Sequence, residues 1–144
     1  MSPGYYKPAH WNMLFLCWLI ACISTLGSLF FSEVMGRTPC VLCWYQRIFM
    51  YPLLFIFTVG LFPFDARSVR YALPIAITGW AFALYHCLLY LGVIPTQLQP
   101  CTQGVSCTDA KLELFGFVTI PLLSLLAFTL IIALLLAVRK GVKS

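Results

Sequence analysis

Apolar residues in this chain gather into four long runs, and polar residues gather between them. The runs extend from Trp11 to about Phe31, from about Trp44 to Phe62, from Tyr71 to Ile94 and from Leu114 to Val138. Each is close to the ~20 residues that a helix needs to cross the hydrocarbon of a bilayer. Backbone N–H and C=O groups in lipid have no water to bond with, so such runs predict helices rather than open strands. A membrane β-barrel requires alternating hydrophobicity, and these runs do not alternate. The pattern therefore predicts an all-α integral membrane four-helix bundle. It forms a single membrane domain over residues 1–144, with spans at about 11–31, 44–62, 71–94 and 114–138.

Composition agrees with this reading. The chain is 62% hydrophobic and 9% charged, whereas a soluble domain carries roughly a quarter charged residues. Its mean hydropathy is +0.95. The first run is too long for the core of a signal peptide, and no clear small-residue cleavage site follows it. It is therefore predicted to be a retained span. With no internal repeat and no soluble domain, the polar chemistry must lie in or beside the connecting segments 32–43, 63–70 and 95–113.

Charge sets the expected orientation. An even number of spans places both termini on one side, and that side carries Lys7, Arg67, Arg70, Arg139, Lys140 and Lys143. The opposite side carries Arg37, Arg47 and Lys111. Cytoplasmic loops are enriched in Lys and Arg, so both termini are predicted to be cytoplasmic. The net charge of +5 then reflects topology and requires no nucleic-acid partner.

Orientation in turn gives the cysteines meaning. Cys40, Cys43, Cys101 and Cys107 fall in two outer loops, where disulfides persist. Cys17, Cys22 and Cys87 fall within spans and read as small buried hydrophobes. The first pair sits in GRTPCVLCWYQR. Thr38 as N-cap and Pro39 at the first helical position predict a helix start there. Cys40, Cys43 and Arg47 then lie at successive turns of one face. A helix N-terminus favours the thiolate, which is both the attacking species and the better leaving group in disulfide exchange. Competing readings are half of a zinc site and a structural disulfide. The five residues between Cys101 and Cys107 are an unusual spacing for a zinc knuckle, and a CxxC ring restrains little of the unfolded chain. Arg47, inside a span, is either a snorkelling side chain or a donor to a polar ligand.

The second pair lies in IPTQLQPCTQGVSCTDAKLE, where Cys101 and Cys107 can close a small ring. Its alternatives are a loop staple and a redox-active pair that reaches both a soluble protein and the first pair. His86 lies roughly 12 Å below the predicted end of the third span, taking 1.5 Å per residue. It could frame one site with Arg47. Thiol oxidation needs an electron acceptor, and the sequence has no dinucleotide fingerprint and no haem motif. An acceptor dissolved in the bilayer fits best. A quinone, whose carbonyls Arg47 can address, meets that description.

GRTPCVLCWYQR closely resembles the DsbB-type disulfide bond formation proteins, in particular their short BdbC-like branch. The resemblance covers nearly the whole chain in order: a span, CxxC with a following arginine, a short basic loop, a span with a late histidine, an outer cysteine pair, and a span containing FGFVTIPLLSLLAF. It implies a bacterial inner-membrane thiol oxidase that uses ubiquinone or menaquinone and needs no metal. By resemblance, Cys40 and Cys43 are its quinone-coupled pair, with Cys43 nearest the quinone and Arg47 the quinone-site arginine. His86 is a looser match to that site. Cys101 and Cys107 correspond to the pair that oxidises a secreted or membrane-anchored thioredoxin-fold, DsbA-like partner. Many members have a longer segment between the second pair than is found here. The alternatives are a non-catalytic membrane subunit with structural disulfides or a metal site, and a vitamin-K-epoxide-reductase-like enzyme.

Overall fold

The structure is a computed structural model, which describes residues 7–36, 41–95 and 119–143. It contains four α-helices: α1 (Pro8–Leu29), α2 (Val41–Leu61), α3 (Arg67–Tyr90) and α4 (Ile120–Lys143). Helix α1 runs on into one π-helical turn, Phe30–Val34. All four are long and apolar enough to cross a membrane. The chain is thus an all-α, multi-pass membrane bundle. Helix α1 packs on α2 and α4, and α3 packs on α2 and α4. Each neighbouring pair runs antiparallel. Trp18 meets Thr58 and Ser28 meets Arg47 across α1 and α2. Gly60 meets Ser68, and Gln46 meets His86, across α2 and α3.

Local chemistry sets the helix ends. Pro8 opens α1, where its missing N–H would be unpaired in any case. Helix α3 stops at Tyr90, four residues before the end of its apolar run. Gly92 adopts φ +77, its N–H bonds to Leu89 O, and the N–H of Val93 bonds to Leu88 O. These paired bonds form a Schellman cap, which glycine enters without a Cβ penalty. Apolar Val93 and Ile94 therefore follow the helix rather than extend it. The segment 114–118 of the fourth apolar run lies outside the described residues.

Close packing fills the centre. Ala72, Ala76, Gly79 and Ala83 place small residues along the inner stripe of α3. A Cβ at Gly79 would come within 2.5 Å of the Phe128 ring, so that ring lies directly on the α3 backbone. Small residues of this kind let helices approach where lipid offers no hydrophobic drive. Leu14 and Cys17 of α1, Leu53 and Phe57 of α2, and Phe128 and Ile131 of α4 complete the core. The outer faces are also apolar. Ile23, Phe55 and Val59 are 67%, 71% and 72% exposed, as suits a surface that meets lipid.

Two indole–hydroxyl bonds tie the helices in pairs. Trp18 Nε1 donates to Thr58 Oγ1 at 2.9 Å, linking α1 to α2. Trp80 Nε1 donates to Thr129 Oγ1 at 3.0 Å, linking α3 to α4. Each threonine hydroxyl donates in turn to the carbonyl four residues earlier in its own helix. Both lone-pair and proton capacity are thereby used in a medium that supplies no water.

The basic residues Lys7, Arg67, Arg70, Arg139, Lys140 and Lys143 are exposed and belong to one end of the bundle. At that end Asp65 organises the turn between α2 and α3. Its Oδ1 accepts from the N–H of Arg67, and its carbonyl accepts from the Ser68 hydroxyl. Cys43, Arg47 and His86 lie toward the opposite end.

Candidate functional site

Helix α2 has 3.6 residues per turn, so consecutive side chains diverge by about 100°. In a square bundle that step is close to the angle between the two neighbours of a helix. Gln46 and Arg47 use it to reach opposite partners. Gln46 turns toward α3, and Arg47 turns toward α1.

Arg47 is 8% exposed. Its Nε donates to Ser28 Oγ and its Nη2 donates to the Ser28 carbonyl, both at 2.6 Å. One residue of α1 thus accepts two donors from the guanidinium, just before the π-helical turn at Phe30–Val34. The guanidinium also lies 5.4 Å from the centre of the Trp44 ring, one turn back on α2. A snorkelling arginine extends toward headgroups, whereas this one is directed into the α1–α2 interface. Thr25, one turn before Ser28, is 9% exposed, and its buried hydroxyl has no hydrogen-bond partner among the described residues. A buried polar atom without a partner is rare and costly.

On the other side, Gln46 Nε2 lies 3.1 Å from His86 Nδ1. Both side chains are buried, with Gln46 7% and His86 1% exposed. Because α3 ends at Tyr90, His86 lies one turn from the helix end, roughly 6 Å at 1.5 Å per residue. It is therefore shallower than the apolar run alone implied. One turn deeper, Phe82 stacks on Tyr45 and on Phe49, with ring centres 5.2 and 5.4 Å apart. These rings close the α2–α3 interface below the polar pair.

Cys43 is half-buried near the described start of α2. It packs against a small cluster built on Leu42 and Leu89, together with Tyr85 and Ile94. Cys43, Gln46, Arg47 and His86 are thereby gathered at one end of the bundle. Cys40, Cys101 and Cys107 lie outside the described residues, as does the expected helix start at Thr38 and Pro39. Within the spans, Cys17 is fully buried, its Sγ 3.9 Å from the Ile131 carbonyl, while Cys22 and Cys87 are half-buried. Among the described residues no cluster of side chains is arranged to hold a metal ion.

Arg47 and His86 stand out in the sequence as polar groups within apolar runs, whereas the residues that contact them do not all do so. Gln46 is, with Arg47, a polar interruption of the second apolar run. Ser28 carried no such signal, since a serine near the end of a span is unremarkable and its role depends on which helix lies opposite.

The chain's relatives share one description. A family model described as "Disulfide bond formation protein DsbB" matches residues 10–138. A "Probable disulfide formation protein" of Metapseudomonas resinovorans is 51% identical over 131 residues, covering 90% of this chain and 91% of the relative. "Disulfide bond formation protein C" of Bacillus subtilis (strain 168) is 44% identical over 131 residues, covering 91% and 94% respectively. A "Probable disulfide formation protein C" of Halalkalibacterium halodurans is 41% identical over 130 residues, covering 90% and 95%. No solved structure gives a significant match.

Proposed function

Because the chain belongs to the DsbB family of disulfide bond formation proteins, we propose that it is a quinone-dependent thiol oxidase that regenerates a secreted, DsbA-like thioredoxin-fold disulfide donor. A membrane role in disulfide formation follows from the family and the four apolar helices. The observation that best supports the finer reading is the burial of Arg47 beside Cys43, one turn away on α2. A charge inside a span is costly and is functional by default.

The residues present suit a quinone in their donor chemistry. Ser28 accepts from Nε and Nη2 of Arg47, and a guanidinium has five N–H donors. The remaining donors suit a carbonyl acceptor. Arg47 and His86 would hold the head group, which supplies a two-electron acceptor when bound. The thiols' own chemistry comes first. Reduced partner gives its two electrons to the Cys101–Cys107 disulfide by exchange, and that pair reduces Cys40–Cys43 in the same way. Each exchange requires an attacking thiolate and releases another thiolate. Arg47 lies one turn from Cys43 on α2, so a head group held by its guanidinium would sit at the same end of the helix as that sulfur. The net reaction is dithiol plus quinone giving disulfide plus quinol, with two electrons and two protons transferred.

The orientation in this proposal places both termini in the cytoplasm of a bacterial cell and both cysteine pairs outside the inner membrane. It rests on the charge asymmetry between the two ends. A membrane-impermeant thiol reagent applied to intact, reduced spheroplasts should label Cys101 and Cys107. Labelling that required lysis would reverse the topology.

The function itself is tested with purified full-length protein in lipid, supplied with a reduced DsbA-like protein and a soluble quinone. The ultraviolet absorbance of the quinone should fall, with one quinol formed per partner disulfide. If the partner is oxidised without quinol formation, the acceptor is wrong. If it is not oxidised at all, the donor is wrong.

A further inference from the structure

The Gln46–His86 pair is a buried polar contact between α2 and α3 at the Cys43 end. Its geometry carries information about where the imidazole holds its proton. A glutamine amide nitrogen can only donate, so the 3.1 Å contact from Gln46 Nε2 makes His86 Nδ1 an acceptor. A neutral imidazole that accepts at Nδ1 carries its hydrogen on Nε2. We propose that Gln46 is a positioning residue for His86. It fixes the Nε2–H tautomer in the resting protein, and by turning its amide over it keeps hold of Nδ1 when the ring takes a second proton.

The argument lies in the two ends of the amide. With Nε2 toward the ring, Gln46 donates to bare Nδ1. After a half-turn about its last torsion, Oε1 faces the ring and accepts from Nδ1–H. Glutamine can therefore satisfy both protonation states of the ring without moving the helices. Glutamate at this position would satisfy only the protonated nitrogen, and an apolar residue would satisfy neither state. Both partners are at least nine-tenths buried, so water is poorly placed to substitute, and an unpaired buried group carries its full desolvation cost.

The use of such a pair rests on the quinone-oxidase reading. Oxidation of the Cys40–Cys43 dithiol releases two electrons and two protons, and conversion of quinone to quinol takes up both. A ring that remains hydrogen-bonded in either protonation state can receive a proton released on the thiol side and pass it to a quinone oxygen. The second proton can enter only at Nδ1, and release of that same hydrogen restores the Nε2–H form; two such transfers carry both protons of the overall reaction.

The chain has two histidines, which makes the tautomer directly measurable. The experiment uses full-length protein labelled with 15N-histidine, in lipid, with the His10→Gln variant assigning the signals. The expected spectrum shows His86 Nδ1 without a proton and Nε2 with one. Gln46→Met keeps length and apolar bulk but removes both amide functions, so the ring should lose its single tautomer. Its kcat for quinone reduction should fall about tenfold, less than the hundredfold or more that losing a general acid outright would cost. Gln46→Glu should move the proton to Nδ1 in the same spectrum, a change that a merely space-filling role would not produce. A wild-type spectrum with the proton on Nδ1 would overturn the proposal. So would Gln46→Met retaining both the wild-type tautomer and wild-type turnover. Failure of the wild-type protein to reduce quinone would remove the oxidase reading and the relay with it, while the tautomer measurement would still judge the positioning role separately.

Discussion

Cys43→Ser is expected to bring thiol-driven quinone reduction down to background, and Cys40→Ser should do the same. A single sulfur can attack a disulfide but cannot then resolve the mixed disulfide it forms, so electrons entering from the second pair have no exit. The serine hydroxyl fits the half-buried Cys43 position beside Leu42 and Leu89, so the loss should be chemical rather than structural. Its size should be on the order of a thousandfold or more, the scale observed when an enzyme loses its nucleophile. The controls lie in the spans. Cys17→Ala, Cys22→Ala and Cys87→Ala should leave turnover largely intact. Cys17 is enclosed in the core against the Ile131 carbonyl, so its replacement should cost about 1 kcal/mol of stability through lost packing. The measurement is the initial rate of quinol formation for each variant, alongside a melting curve in the same lipid. Near-normal turnover in either CxxC variant would mean that electrons reach the quinone by another route.

How much of this was legible in the sequence depends on the range of the interaction concerned. The helices were legible because lipid leaves the backbone no alternative to internal hydrogen bonds. Hydropathy reports that constraint over some twenty residues. The end of α3 was not legible from hydropathy, because Gly92 terminates the helix through a left-handed backbone conformation while Val93 and Ile94 remain apolar. A rule of local capping applied to Gly92 would have found it. The partners in the site belong to a third range. Arg47 and His86 stood out as polar groups in apolar runs, but the sequence suggested one shared site for both. The structure gives Arg47 a partner in Ser28 of α1 and His86 one in Gln46 of α2. That assignment depends on which helix stands on which side of α2, and periodicity within one helix does not report it.

Arg47→Lys is expected to raise the apparent KM for quinone several-fold, and Arg47→Ala to raise it more than tenfold while also slowing turnover. The structure sharpens the reason. Ser28 accepts from Nε and Nη2 together, and this arrangement requires a planar fork with two donors at fixed spacing. A lysine ammonium retains the charge but offers three donors at one point, so it cannot hold Ser28 in the same way and also present an aligned donor to a carbonyl. A hydrogen bond to a charged group contributes about 1.5–3 kcal/mol. Its loss corresponds to roughly a tenfold or greater weakening, since 1.4 kcal/mol is a factor of ten in affinity. Ser28→Ala provides the intermediate case. It removes the Oγ acceptor and leaves the backbone carbonyl, so the guanidinium should be held less firmly and the KM should rise by less than in Arg47→Lys. A guanidinium that served only to join α1 to α2 would give a different ranking. Arg47→Lys and Ser28→Ala would then lower the melting temperature, while the KM of the folded fraction stayed at the wild-type value. Steady-state rates over a quinone concentration series, normalised to folded protein, separate the two roles. An unchanged KM in Arg47→Lys would assign Arg47 to helix packing alone.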